Sequence, residues 1–275
     1  MPSWSDKDDN RISKSIQNLP NHLYQYKNVT GKRMDWVKEI IADSNFYFSK
    51  AREFNDPLDC KIPPVFKASK LKMESYWRRI VKRNHPDDNL RNHKSRIKKL
   101  IQDSKTTEGQ ARMSAQVYDS INKNGILCLT KKPSNLLMWS YYADGHKGVC
   151  LRFKTLPENI IGMNNTIFPL EIEYSNIFPE VNYYTDTTTE FIQAILGTKA
   201  KAWEHEEEWR FITQSRTGKM KCPILVLDGI ILGMKTTDEN SKIFKRLVED
   251  IKTPIEILRV HNQTRSFDLE IHVEQ

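Results

Sequence analysis

Gly125-Ile126-Leu127-Cys128-Leu129-Thr130 is an unbroken apolar run bounded by polar residues, and it reads as a buried β-strand. A loop containing Pro133 follows, then a short helix carrying Leu137, Met138 and Trp139, then a second strand at Gly148 to Phe153. Downstream come a strand at Leu170 to Tyr174, a helix around Glu190 to Trp203, and strand character at Trp209 to Ile212 and Ile224 to Leu232. The tail reads as a helix over Asp238 to Ile251 and strands over Ile255 to Val260 and Phe267 to Val273. Upstream, Leu23 to Lys27 alternates like a strand, Met34 to Ser44 is spaced like a helix, and Phe46 to Ser49 is another strand. Strands and helices do not alternate regularly. The pattern therefore predicts an α+β protein with a mixed or antiparallel sheet rather than a doubly wound parallel one.

The stretch from about Lys67 to Asn124 is helical in pattern and broken near His85-Pro86-Asp87-Asp88, which suits a helix stop and restart. Thirteen lysines and arginines against four acids lie between Lys67 and Lys105, while the whole chain carries a net charge of +8, so the basicity belongs to this segment. The expected organisation is a polar N-terminal arm over residues 1–20 and one α+β domain over 21–275, with a basic helical insertion at about 67–124. With 38% hydrophobic residues and 10% aromatics, the 275-residue chain falls outside the disordered class. Cys60, Cys128, Cys150 and Cys222 are far apart with no Cys-x-x-Cys pair, so free thiols are expected rather than a zinc knuckle or a disulfide framework. No secretory leader or membrane-spanning run is apparent, and a cytoplasmic location with no membrane partner is the expectation.

Three blocks hold the residues that could carry chemistry. The first joins Tyr24, Tyr26 and Lys27 to Tyr47, Phe48 and Ser49, then to Phe54-Asn55-Asp56-Pro57 and Asp59. By residue type it is a hairpin-like core with an Asx turn. The second, Met138 to Gly148, packs Trp139, Tyr141, Tyr142 and His146 between polar residues and glycines, enough for an aromatic shelf that stacks a nucleobase or nicotinamide. As structure alone it is a packed helix end. The third, Lys199 to Arg210, places Glu206 and Glu208 two apart beside a strand, where alternation points both to one face. Such a pair can divide labour, one carboxylate stabilising positive charge on a ribosyl carbon and the other orienting a hydroxyl. It can equally be a solvated turn or a salt-bridge cluster.

The ordered set Leu23 to Lys27, Phe48-Ser49 with Phe54 to Cys60, Met138 to Cys150, and Trp203 with Glu206, Glu208, Trp209 and Arg210 resembles the bacterial family called domain of unknown function 2971. The layout is in turn similar to that of the ADP-ribosyltransferases. That second resemblance implies NAD as substrate, with Lys27 and Tyr26 at its phosphate or ribose, Ser49 at the nicotinamide ribose, Tyr47 or Tyr141 stacked on nicotinamide, and Glu208 as the catalytic carboxylate beside Glu206. Asn55, Asp56, Trp139 and His146 complete the expected cofactor-binding set. Lys27 stands where the family pattern has Arg, and Lys lacks the bidentate fork that suits phosphate. Arg152 stands where the pattern has an acid and is expected to pair with an acid of the third block.

Two functional readings follow. One is an NAD-cleaving or ADP-ribosyl-transferring enzyme, of toxin or defence type and needing no metal. The other is a non-enzymatic module in which Arg78, Arg79, Lys82 and Arg83 track nucleic-acid phosphates, or which engages a protein partner such as an antitoxin. A hydrolase or nuclease using Asp56, Asp59, His146 and Glu208 has no recognised spacing behind it.

Overall fold

The strand expected at residues 125–130 forms over that span, and it pairs antiparallel from Gly125 opposite Thr213 to Thr130 opposite Glu208. The computed structural model describes residues 10–161, 167–249, 251 and 253–274. The elements run α1 (Asn10–Gln17), β1 (His22–Lys27), α2 (Arg33–Asp43), β2 (Asn45–Phe48), α3 (Lys70–Asn84), α4 (Leu90–Asp103), α5 (Thr107–Ile121), β3 (Gly125–Thr130) and α6 (Leu136–Tyr142). They continue with β4 (Val149–Thr155), α7 (Glu158–Ile161), β5 (Ile167–Glu171), β6 (Glu173–Ser175), α8 (Thr188–Gly197), β7 (Thr198–Ala200) and β8 (Glu208–Thr213). The last are β9 (Gly218–Lys221), β10 (Leu225–Leu232), α9 (Asp238–Glu249), β11 (Glu256–Asn262) and β12 (Leu269–Val273).

Eight strands form one sheet in the order β12-β11-β10-β4-β1-β3-β8-β5. Its pairs are antiparallel except β10 with β11, as the α+β expectation required. On one face, Leu127, Leu129, Leu151, Trp209 and Phe211 meet α2, Phe244 of α9, and Phe46 and Phe48 of β2, which pairs with β9 as a separate ribbon. On the opposite face, α8 and α5 cover the β3, β8 and β5 end. The β1, β4, β10 and β11 end of that face is covered by α6, through Met138 and Trp139. Among the described residues no helix is long and apolar enough to cross a membrane.

Local chemistry fixes the helix starts. Ser69, Asn89 and Thr106 each accept a backbone N–H at the start of α3, α4 and α5, and Thr187 with Glu190 forms a capping box on α8. The three helices of the insertion have their own small core, in which Met73, Trp77 and Met113 pack with Tyr184 and with the partly buried Tyr76 and Tyr183.

Two local expectations change. The helix expected to run to Trp203 ends at Gly197, because residues 198–200 form β7 parallel to β6 and residues 201–206 tighten into a 3-10 turn. Within the segment read as a polar arm, α1 packs on β5: Ile12 is buried, and the Ser15 hydroxyl accepts the Glu171 N–H at 3.2 Å. The first nine residues of that arm lie outside the described residues.

Candidate functional site

Alternation along β8 sends Trp209 and Phe211 into one core and Glu208, Arg210 and Ile212 to the opposite face. Arg210 is wholly buried there, and its guanidinium is fully engaged. Nε donates to Glu208 at 2.7 Å, and one terminal nitrogen donates to Asp59 at 2.6 Å and to Glu208 at 3.2 Å. The other terminal nitrogen donates to the Leu196 carbonyl at 2.9 Å and to the Cys60 sulfur at 3.2 Å. The Phe54 ring lies 5.2 Å from the guanidinium carbon.

Lys199, from β7, is the second buried cation. Its ammonium donates to Glu206 and, at 2.9 Å, to Glu208, with Asp59 at 3.8 Å and the Trp203 ring 5.2 Å away. Glu206 also accepts the Tyr142 hydroxyl at 2.7 Å, and Asn55 lies near enough to that hydroxyl to ease its ionisation. Asp56 accepts the Trp203 indole N–H at 2.8 Å, and the Glu208 backbone N–H donates to the Tyr174 hydroxyl at 2.8 Å.

Three carboxylates therefore share two cations in a nearly dry pocket. Burial alone would raise the Glu208 carboxyl, but the charges of Arg210 and Lys199, with their hydrogen bonds, outweigh it and hold Glu208 down to about 2. Burial likewise opposes charge on Lys199 and Arg210, and the surrounding carboxylates still push both above their ordinary values. The Cys60 and Cys128 thiols are raised by burial, so neither is a ready thiolate. All four cysteines are free.

Glu208 lines an open cleft of about 310 Å³, together with Tyr174, Lys131, Glu171, Glu204 and Glu207. Lys131 pairs with Glu171 at 3.1 Å and Lys132 with Glu207, so cleft and network together hold seven carboxylates against four cations. The surplus negative charge favours a cationic group over a phosphate.

The three sequence blocks meet here. Asp56 and Asp59 from the first, Tyr142 from the second, and Trp203, Glu206, Glu208 and Arg210 from the third belong to one connected network, with Asn55 beside Tyr142. Other expected residues stand apart. Trp139 is fully buried: it donates to the Pro133 carbonyl, meets Tyr26 edge-on at 5.1 Å and stacks on His146 at 5.8 Å. These rings fill the space beneath α6 and offer no open shelf. Tyr26 donates to the Lys132 carbonyl at 2.8 Å, and His146 is held at φ 69° with its Nδ1 unpartnered among the described residues. Tyr141 is exposed, and so is Tyr47, which donates to Glu53 at 3.2 Å. Ser49 bridges to Ile126 through backbone bonds.

Lys27 faces away from Tyr26. On β1, Tyr26 stands opposite Cys150 and Lys27 opposite Val149, and these two β4 residues belong to different cores on opposite faces of the sheet. Adjacent strand residues cannot share one face. Desolvation lowers the Lys27 ammonium to about 8, and it has no side-chain partner among the described residues. Lys27→Met is accordingly expected to raise the urea midpoint at pH 7. A lysine held below its unfolded value destabilises the charged fold, and this penalty fades as pH climbs through 8 towards 10.5. The variant's advantage should shrink between pH 7 and pH 10. A lower midpoint at pH 7 would mean that the amine makes a stabilising contact.

Arg152 does not reach the third block. It donates to Asp228 at 2.9 Å and to Glu256 at 2.8 Å, across β4, β10 and β11. Asp59, Lys199, Trp203, Arg210, Tyr142 and Tyr174 are the network members that the expected site set omitted. Arg210 is signalled in sequence by its place two residues after Glu208, on the same strand face, and by its place in the motif set that carries the family resemblance.

Residues 138–211 match a family model described as "Protein of unknown function (DUF2971)". The matched span runs from α6 to β8 and contains Tyr142, Lys199, Glu206, Glu208 and Arg210. No curated protein and no solved structure matches the chain.

Proposed function

We propose that this chain is an enzyme that cleaves the N-glycosidic bond of a ribosyl group attached to a cationic base, with NAD as the substrate class and Glu208 as the charge that stabilises the ribosyl cation. The supporting observation is geometric: Glu208, bonded to Arg210 and Lys199 and held by them down to about 2, is among the residues lining a cleft where the three motif-bearing segments meet. A group ionised that far below neutrality is a poor general acid or base at pH 7. Its fixed negative charge, set in a low-dielectric wall, suits a developing oxocarbenium ion. The carbon–nitrogen bond breaks with its electron pair going to the nicotinamide nitrogen. Water or an acceptor hydroxyl then adds to the ribosyl carbon and loses its proton. The first acceptor makes the enzyme an NAD glycohydrolase, the second an ADP-ribosyltransferase of toxin or defence type.

The cleft suits only one end of NAD. Its surplus of carboxylates favours the cationic nicotinamide riboside, while the pyrophosphate belongs outside, away from Glu204 and Glu207. The test is nicotinamide release from NAD by the purified chain, with and without RNA, DNA and cell lysate as acceptors. Wild-type protein is expected to release nicotinamide, and Glu208→Gln to lose release while still unfolding cooperatively. Glu204→Gln, at an exposed cleft position, should raise KM several-fold and leave the melting temperature unchanged. Folded wild-type protein that releases no nicotinamide under any of these conditions would overturn the proposal.

A further inference from the structure

The strongest unpaired charge in the molecule lies outside the cleft, on the α3–α4 hairpin. Of the thirteen lysines and arginines between residues 67 and 105, Lys70 pairs with Glu74 and Arg96 with Asp88; the remaining eleven have no carboxylate partner among the described residues. On α3, Met73, Trp77 and Val81 turn inward, and Arg79, Lys82 and Arg83 project from the opposite side at helical spacing, with Arg78 beside them. On α4, Lys94 and Lys98 are one turn apart and exposed. Each helix is about 22 Å long at 1.5 Å per residue.

We infer that the outer face of this hairpin binds duplex nucleic acid through its phosphate backbone, without reading sequence. Duplex DNA presents about one charge per 1.7 Å of axis, and displacing counterions from it is what a dense, unneutralised row of lysines and arginines achieves. Two features of the hairpin select this partner. Its aromatics pack toward its own core: Trp77 is buried, and the part-buried Tyr76 meets Trp77 and Tyr184 edge-on while the Arg79 guanidinium covers its ring at 5.6 Å. Single-strand binders stack bases on exposed rings, and this face offers none among the described residues. A membrane-surface helix needs a continuous apolar face beside its basic one. Here the exposed leucines are Leu71, at the start of α3, and Leu90, at the start of α4. Two packed helices joined by a five-residue loop run antiparallel, so these leucines lie at opposite ends of the hairpin.

The experiment is fluorescence anisotropy of the full chain with a labelled duplex of about 20 base pairs (on the order of two helical turns), repeated over a series of KCl concentrations. The matching single strand and anionic lipid vesicles are run alongside. Duplex binding should weaken steeply with salt, by roughly 0.9 in logarithmic slope for each phosphate contacted. The quadruple variant Arg78→Glu, Arg79→Glu, Lys82→Glu, Arg83→Glu should bind at least about 100-fold more weakly near 0.1 M salt, with the slope flatter by about 3 to 4. A charge-matched control, Lys154→Glu, Lys201→Glu, Lys221→Glu, Lys242→Glu, changes four exposed lysines elsewhere and should lose much less. Equal losses in the two variants would overturn the inference, as would vesicle or single-strand binding tighter than duplex binding, or wild-type protein that does not bind the duplex. This readout does not involve NAD, so it stands or falls separately from the proposed activity.

Discussion

Arg210→Met is expected to remove about 3–5 kcal/mol of stability, the typical result of deleting one partner from a buried ion pair. Arg210 is wholly buried, and its loss leaves Asp59 and Glu208 with Lys199 as their only cation among the described residues. The Leu196 carbonyl loses its guanidinium donor as well. Methionine replaces the stem of the side chain but none of its five donors. At roughly 2–4 °C per kcal/mol for a chain approaching this size, the melting temperature should fall by about 6–20 °C. Arg210→Lys should recover only part of this, because an ammonium cannot span Glu208 and Asp59 as the planar fork does. Combining Arg210→Met with Asp59→Asn and Glu208→Gln should cost less than the sum of the three single changes, since the later changes remove charges that the first left stranded. Chemical denaturation of the wild type and these four variants, the three single and the one combined, measures this. A single-variant loss under 1 kcal/mol, or strict additivity, would show that the network does not depend on Arg210.

Much of this arrangement was legible in the chain, for reasons that mark where legibility stops. The strand at residues 125–130 was readable because burial on both faces demands a continuous apolar run, and β3 has such a run. The common face of Glu206 and Glu208 followed from spacing, although the structure reaches it by another route: Glu206 ends a 3-10 turn and Glu207 takes φ 42° before β8 begins. Alternation also forbids Tyr26 and Lys27 from lining one site, a constraint contained in their adjacency on a strand. The partners were hidden because they are long-range. Asp59 and Arg210 are 151 residues apart, and nothing local in the Phe54 to Cys60 turn announces which cation it will meet. Tyr47 had the right residue type for a ring-stacking role, but β2 pairs with β9 outside the main sheet, and that pairing turns Tyr47 outward while Phe46 and Phe48 fill the core. The aromatic richness of the Met138 to Gly148 segment was real and its purpose different. Trp139 and His146 stack on each other beneath α6, and of that block Tyr142 reaches the charged network.

The same network should leave its mark on acid stability. Glu208 is held at about 2 in the fold, against 4.5 for a free glutamate, so the native state binds its proton more weakly than the unfolded chain does. Between those values the unfolded state carries the extra proton, and stability rises with pH. The contribution is complete above 4.5, is lost as pH falls from 4.5 towards 2, and amounts to about 3 kcal/mol at 1.36 kcal/mol per unit. Glu208→Gln removes this titration and keeps most of the shape, since the amide oxygen can still accept from Arg210. The variant should therefore be less stable than wild type by about 3 kcal/mol at pH 7. The two stability curves should then converge as pH is lowered from 5 to 2, because acid takes from the wild type what the substitution has already taken. Urea midpoints across that range decide the matter through the difference between the two proteins, in which carboxylates outside the Arg210 and Lys199 network cancel. Curves that stay parallel down to pH 2 would mean that Glu208 is not held as an ion by Arg210 and Lys199. The fixed charge on which the proposed chemistry depends would then be absent from the cleft.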